Sequence, residues 1–249
     1  IGWRGLMPVS GSGAFEWDGY LTSADLPAIE NPACGFVHSA NEMNLPSEWD
    51  HENNPVGFEW FEDGRADRIA DRIVQGLANS IMSSCKLQTD TFSPFVWRFL
   101  NLFKDKNYTP AFELFEGWDG CSEQTSAAAL LFEVWLSSHL QPAFMHLIAP
   151  NTELRELLVP GNILIILEIL EGKHPSLAAR CGLSQEFKRQ KLLRETLQAA
   201  WNDITKRFGN NRSQWHWGDL HKGYFDHSLT PIKKGFDVRA FCLYNSFGS

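Results

Sequence analysis

Apolar residues along the chain change spacing twice. From residue 63 to 208 they recur at helical intervals; before and after, they come in short runs between Gly, Pro, Asn and aromatic residues. Behind Asp63-Gly64, read as a cap, Ile69, Ile73 and Leu77 make one stripe, which predicts an amphipathic helix weakened at its end by Gly76 and Asn79. A second helix is predicted over 92–103, with Ser93-Pro94 as its opening turn. A third follows Gly117-Trp118-Asp119-Gly120, where Ala128, Leu131, Leu136 and Leu140 keep helical spacing. A fourth covers 151–159 and is closed by Pro160-Gly161. The run 162–170 reads as a helix or a buried strand, and periodicity does not separate the two over so short a length. The longest helix is predicted over 184–208. Its buried face is Phe187, Leu192, Leu193, Leu197, Trp201 and Ile204; Ser184 and Glu186 mark its start and Gly209 its stop.

The flanks, 1–62 and 209–249, read as strands and turns. Strands, a helical block and strands again predict an α+β fold, in which residues 63–208 are a helical excursion that leaves and re-enters a sheet. No internal repeat or low-complexity linker interrupts this order.

Composition narrows the function. With 43% hydrophobic and 21% charged residues the chain is globular, and a net charge of −8 argues against a general nucleic-acid binder. Apolar runs such as 163–167 are far short of the roughly 18 residues needed for a membrane span. No signal peptide is expected in the first thirteen residues, which lack a basic segment followed by an apolar one. Five scattered Cys without a C-x-x-C pair make a disulfide framework or zinc ribbon a poor reading. Ten Trp and eighteen Phe call for a large core or a ring-lined pocket.

Three segments carry candidate chemistry. The run 35–37 ends in an Asn-rich turn with Asn41 and Asn44. A side-chain amide there is equipped to hold an oxyanion, although turn Asn residues usually do no more than cap a loop. Arg65, Arg68 and Arg72 share one helical face with Asp67 and Asp71 beside it. Such a face is ordinarily solvated and laced with ion pairs; the functional alternative is an arginine aimed at a carboxylate or a catalytic amide. Between 215 and 227 stand His216, His221, His227, Asp219 and Asp226, without the spacing of a helical zinc pair. The Trp residues there favour a packed segment over a metal site. No G-x-S-x-G, S-x-x-K or phosphate loop is present.

Taken in order, six segments resemble the large (β) subunit of the penicillin acylase (penicillin amidase) family, which are N-terminal-nucleophile hydrolases. MPVSGSGAFEWDGY resembles L-P-V-x-G-x-G-x-x-x-W-x-G-Y/F, and NPACGFVHSANEMNLP resembles N-P-x-x-G-[YF]-[IV]-x-x-A-N-N/E. GRADRIADRI, KLQTDTFS, GWDGCSEQTSAAALLFEVW and WHWGDLHKGYFDHSL resemble R-A-x-R-I, L-Q-x-D-x-x-S, W-D-G-x-x-x-x-x-S-x-A-A-x-L-F-x-x-W and W-x-W-G-x-L-H-x-x-x-F-x-H-P-L. One such segment alone would be weak; six in sequence are specific.

The resemblance implies a four-layer αββα fold, of which this chain would be an internal, incomplete part. The activity implied is hydrolysis of N-acyl amides, of the penicillin, cephalosporin or acyl-homoserine-lactone type. The nucleophile implied is an N-terminal Ser outside this chain, with its own α-amine as base. By the same carry-over Asn41 is the oxyanion-hole side chain, and Arg68 the arginine that supports that amide. No cofactor is expected for catalysis. A structural calcium in the intact protein would find only Asn54 and the Gly5 carbonyl here as corresponding positions. The partners implied are the small-molecule amide substrate, the α subunit and the remainder of the β subunit. The location implied is periplasmic or secreted. Two departures stand out: Glu42 replaces the usual second Asn, and Ser228 follows His227 where Pro is common. The alternative is a degenerate, non-catalytic homologue that binds or builds rather than cleaves.

Overall fold

The computed structural model describes residues 5, 8–16, 19–58, 60, 63–76, 93–106, 110–158 and 162–222. Backbone packing divides the chain into two compact units, Ile1–Ala70 and Asp71–Ser249.

Turns hold the described part of the first unit. A 3-10 turn, Ser23–Asp25, starts at a capping box in which the Asp25 carboxylate accepts from the Thr22 hydroxyl at 2.6 Å and the Thr22 amide at 3.1 Å. Those two bonds hold the Asp25 carboxyl below its usual value. The sequence predicts strands here, yet among the described residues none forms. A strand needs a neighbour on its hydrogen-bonding edge and a face to bury. Val37 is 69% exposed and Tyr20 96%, so these apolar positions find no such face among the described residues. The expected α+β class is therefore not seen in the described backbone, whose regular elements are all helical. Helix α1, Gly64–Val74, begins where the Asp63 carbonyl accepts from the Asp67 amide at 2.8 Å. Its stop is Gly76, at φ +70°, a conformation that glycine adopts without steric cost.

The second unit carries a helical core. Its described elements are α2 (Ser93–Asn101), α3 (Ala111–Phe115), α4 (Ala127–Val134), a π-helical turn (Trp135–Leu140) that runs into α5 (Gln141–Ile148), α6 (Thr152–Leu158), α7 (Ile163–Glu171), α8 (Pro175–Arg180), α9 (Glu186–Phe208), a 3-10 turn (Arg212–Gln214) and α10 (Trp217–Leu220). Ser126 caps α4 by accepting from the Ala129 amide at 3.1 Å, and Asn162 caps α7 by accepting from Ile165 at the same distance. The ambiguous run 162–170 is thus helical. It buries Ile166, Leu167, Ile169 and Leu170 and ends at Gly172 in the left-handed region.

The π turn has a cause legible in the residues. Pro142 has no N–H to give the Ser138 carbonyl, and in a regular α-helix its ring would strike that carbonyl. Widening the preceding turn relieves the clash. It also absorbs the five-residue step from Leu131 to Leu136 in the apolar stripe. Trp135, Leu136 and Leu140 stay buried through the π turn, against which α9 packs. Trp135 donates its indole N–H to Thr196 Oγ1 at 3.0 Å, and Phe99, Phe103 and Phe132 surround its ring at centroid distances of 5.4–6.1 Å.

Helix α9 turns a stripe of Leu193, Thr196, Leu197, Ala200 and Ile204 inward. Leu192 and Trp201 are partly buried, but Phe187 is 62% exposed, against expectation. It lies six residues before Leu193, and at about 100° per residue that turns it away from the stripe. The helix also starts at Glu186, with Gln185 rather than Ser184 at the cap position. The Ser184 and Leu183 carbonyls are instead taken by the Arg189 guanidinium at 3.1 and 2.9 Å.

Candidate functional site

The Asn-rich turn and the first turn of α1 come together within the first unit. Asn41 sits at φ +70°, and Asn is among the few non-glycine residues that tolerate this region. Arg65 Nη2 donates to the Ala40 carbonyl at 2.6 Å and to Asn41 Oδ1 at 2.7 Å. On the other side of the turn the Glu42 carboxylate, 7% exposed, accepts from the Ala40 amide at 2.5 Å. The Glu42 carbonyl in turn accepts from the Asn44 amide at 2.9 Å. A cation and a buried anion therefore grip the C=O and the N–H of one residue, Ala40, immediately before Asn41.

This arrangement leaves Asn41 exposed with its carbonyl end engaged. A planar amide whose oxygen faces a guanidinium turns its two N–H bonds elsewhere. The charge on the oxygen side also polarises the amide and strengthens those donors. Chemically, the turn presents a pre-oriented neutral hydrogen-bond donor.

Sequence reading paired Asn41 with Arg68. The guanidinium on Asn41 is that of Arg65, one helical turn earlier; Arg68 stands half-buried further along α1 and has interactions of its own. Glu42, noted only as a departure from the motif, is the buried clamp. The signal for Arg65 was present in the shared face of Arg65, Arg68 and Arg72, but spacing does not choose among three arginines on one face.

The Trp/His segment is packed and hydrogen-bonded as far as it is described. Trp215 is 1% exposed, donates to the Gly209 carbonyl at 2.9 Å and meets Trp201 edge-on at 5.0 Å. His221 stacks on Trp217 at 4.9 Å, and His216 Nε2 lies 3.2 Å from the Ser213 carbonyl. His227 and Asp226 lie outside the described residues, as does the segment that resembles L-Q-x-D-x-x-S up to Ser93. Among the described residues no three His, Cys, Asp or Glu side chains gather as a metal site. At Asn54 the backbone carbonyl is occupied by the Trp49 indole N–H at 3.0 Å. These residues do not by themselves compose a calcium site.

The second unit holds an open cleft of about 500 Å³, lined by Trp97, Leu100, Lys106, Phe112, Glu113, Phe115 and Glu116. Its lining is aromatic and charged, with no hydroxyl or thiol nucleophile among these residues. Among the described residues no helix is long and apolar enough to cross a membrane.

Comparison with known proteins agrees with the motif order. The penicillin amidase family model matches residues 2–246, and the chain belongs to that family. It is similar to the acyl-homoserine lactone acylase QuiP of Pseudomonas syringae pv. syringae, at 23% identity over 93% of this chain and 30% of that protein. It is also similar to the penicillin acylase 2 proenzyme of a Pseudomonas species, at 24% identity over 91% of this chain and 29% of that protein. Penicillin G acylase of Escherichia coli is 23% identical over 84% of this chain and 28% of its own length. The chain thus spans about 30% of the length of the curated relatives it matches.

Proposed function

We propose that the protein containing this chain hydrolyses N-acyl amides, with Asn41 as the oxyanion-hole side chain. The observation that carries this reading is the exposed Asn41 amide, held in a left-handed turn with its oxygen on a guanidinium. A donor fixed before charge develops is worth more than one that must reorient during the reaction.

In this reading the nucleophile is an N-terminal Ser contributed from outside these residues. Its α-amine, with an ordinary pKa of about 7.7–8.0, takes the hydroxyl proton. The Ser oxygen attacks the amide carbonyl, and the tetrahedral oxyanion accepts from Asn41 Nδ2. The amine leaves with the proton, and water then hydrolyses the ester. Arg68 supports the positive potential around the donor. The substrates are N-acylated β-lactams or acyl-homoserine lactones. The α subunit and the remainder of the β subunit complete the αββα sheet layers around this chain and supply most ligands of any structural calcium.

Expression of the complete reading frame tests this directly, with a chromogenic phenylacetyl amide and an N-acyl homoserine lactone as substrates. Turnover should appear, and Asn41→Ala should lower kcat by about 100- to 1000-fold with the fold intact. An unchanged kcat removes Asn41 from the oxyanion hole. No turnover of either class in a correctly matured protein favours a non-catalytic homologue.

A further inference from the structure

On the basis of that reading, we propose that Arg65 and Glu42 are positioning residues that set which end of the Asn41 amide faces the substrate. An asparagine amide is nearly symmetric in shape, and its two ends act oppositely on an oxyanion: nitrogen donates, whereas oxygen repels. Something must therefore exclude the flipped amide. A guanidinium has only donors, so the group 2.7 Å from Arg65 Nη2 must be the Asn41 oxygen, and the nitrogen is left for the substrate. A neutral partner such as Gln, which both donates and accepts, would not enforce this.

Glu42 completes the device from the other side. It has only acceptors when ionised, and it holds the Ala40 N–H. Arg65 holds the Ala40 carbonyl at 2.6 Å with the same nitrogen that reaches Asn41. Ala40 is itself buried, at 8% exposure, so its backbone groups have little access to water as substitute partners. Two charged side chains of opposite sign thus fix the peptide units that lead into the left-handed Asn41. Neither needs to touch the substrate.

Arg65 is then predicted to act through Asn41 alone. In the complete enzyme Arg65→Ala should lower kcat by about tenfold or more with KM nearly unchanged, and Arg65→Lys, still a pure donor, should recover part of the loss. In an Asn41→Gly background, which keeps the left-handed turn, Arg65→Ala should cost nothing further. Equal losses in both backgrounds overturn the proposal.

A second measurement does not depend on activity. In the complete protein labelled with ¹⁵N at asparagine, the Asn41 side-chain amide should shift and rotate faster on Arg65→Ala, but not on Arg180→Ala. An Asn41 amide indifferent to Arg65 refutes the clamp. A clamp seen by resonance in a complete protein with no turnover refutes the amidase reading and leaves the clamp standing.

Discussion

At the scale of single residues, Asn41 combines two demands that few side chains meet together. Its backbone is left-handed, and in the proposed enzyme its side chain supplies a donor. Ala at this position removes the amide and also strains the turn, whereas Gly removes the amide without that strain. Asn41→Gly should therefore leave the denaturation midpoint within experimental error while kcat falls as steeply as in Asn41→Ala. If Gly retains activity, the amide is not used. Asn41 was picked out by its motif, because an Asn at the end of a short apolar run is a local pattern. Its partner was not, because Arg65 and Arg68 differ only in which helical turn they occupy, and the contact spans 24 residues. Glu133 offers a second test at this scale. Burial pushes its carboxyl above the usual range, and the bond from the Ser122 hydroxyl at 3.3 Å only partly opposes this. Between the ordinary carboxylate value and the raised one, the folded state holds more protons than the unfolded state. Stability should therefore fall as pH rises through that window. Urea denaturation from about pH 4 to pH 8 should show this decline, and Glu133→Gln should flatten it. An equal slope in both proteins removes Glu133 as its source.

At the scale of elements, the long helices were readable because each has enough turns to show a period, as in α9 and in α4 with its Ser126 cap. The short α3, α8 and α10, of five, six and four residues, have no period to read. The continuation of α4 into α5 was also hidden, because Pro142 reads as a breaker when the widened π turn is not foreseen. Strands in the first unit were expected from apolar runs, but a run states only what a segment prefers and not whether an edge is available to it. The π turn and α9 are joined by a buried bond between Trp135 and Thr196. Thr196→Val keeps the shape but strands the indole N–H, at a cost of about 1–3 kcal/mol in chemical denaturation. Adding Trp135→Phe should cost less than the two single changes summed, since the second removes the orphaned donor. Strict additivity would show that the bond contributes nothing to the contact between these elements.

At the scale of the whole molecule, the two units differ in how much they bury. The second has a continuous core that includes Phe99, Trp135, Phe144, Leu167 and Trp215. In the first, the buried positions among the described residues are Ala40, Glu42, Gly64 and Ala66, while Tyr20, Leu21, Ile29, Val37 and Met43 lie exposed. Local stability follows buried contact, so the units should open at very different free energies. In the chain alone, hydrogen exchange should be slow along α9 and close to the unprotected rate over much of 19–58. The relatives are more than three times as long as the stretch this chain matches, and in the proposed enzyme their remaining length supplies the sheet neighbours for these segments. Amides over 19–58 should then become protected in the complete protein, while those of α9 change little. The same assembly brings the nucleophile, so the 249-residue chain alone should show no turnover of a phenylacetyl amide. Protection that is equal in the chain and in the complete protein would mean that residues 19–58 remain surface loops. The αββα arrangement would then fail for this chain, and with it the reason for placing Asn41 beside a Ser from another segment.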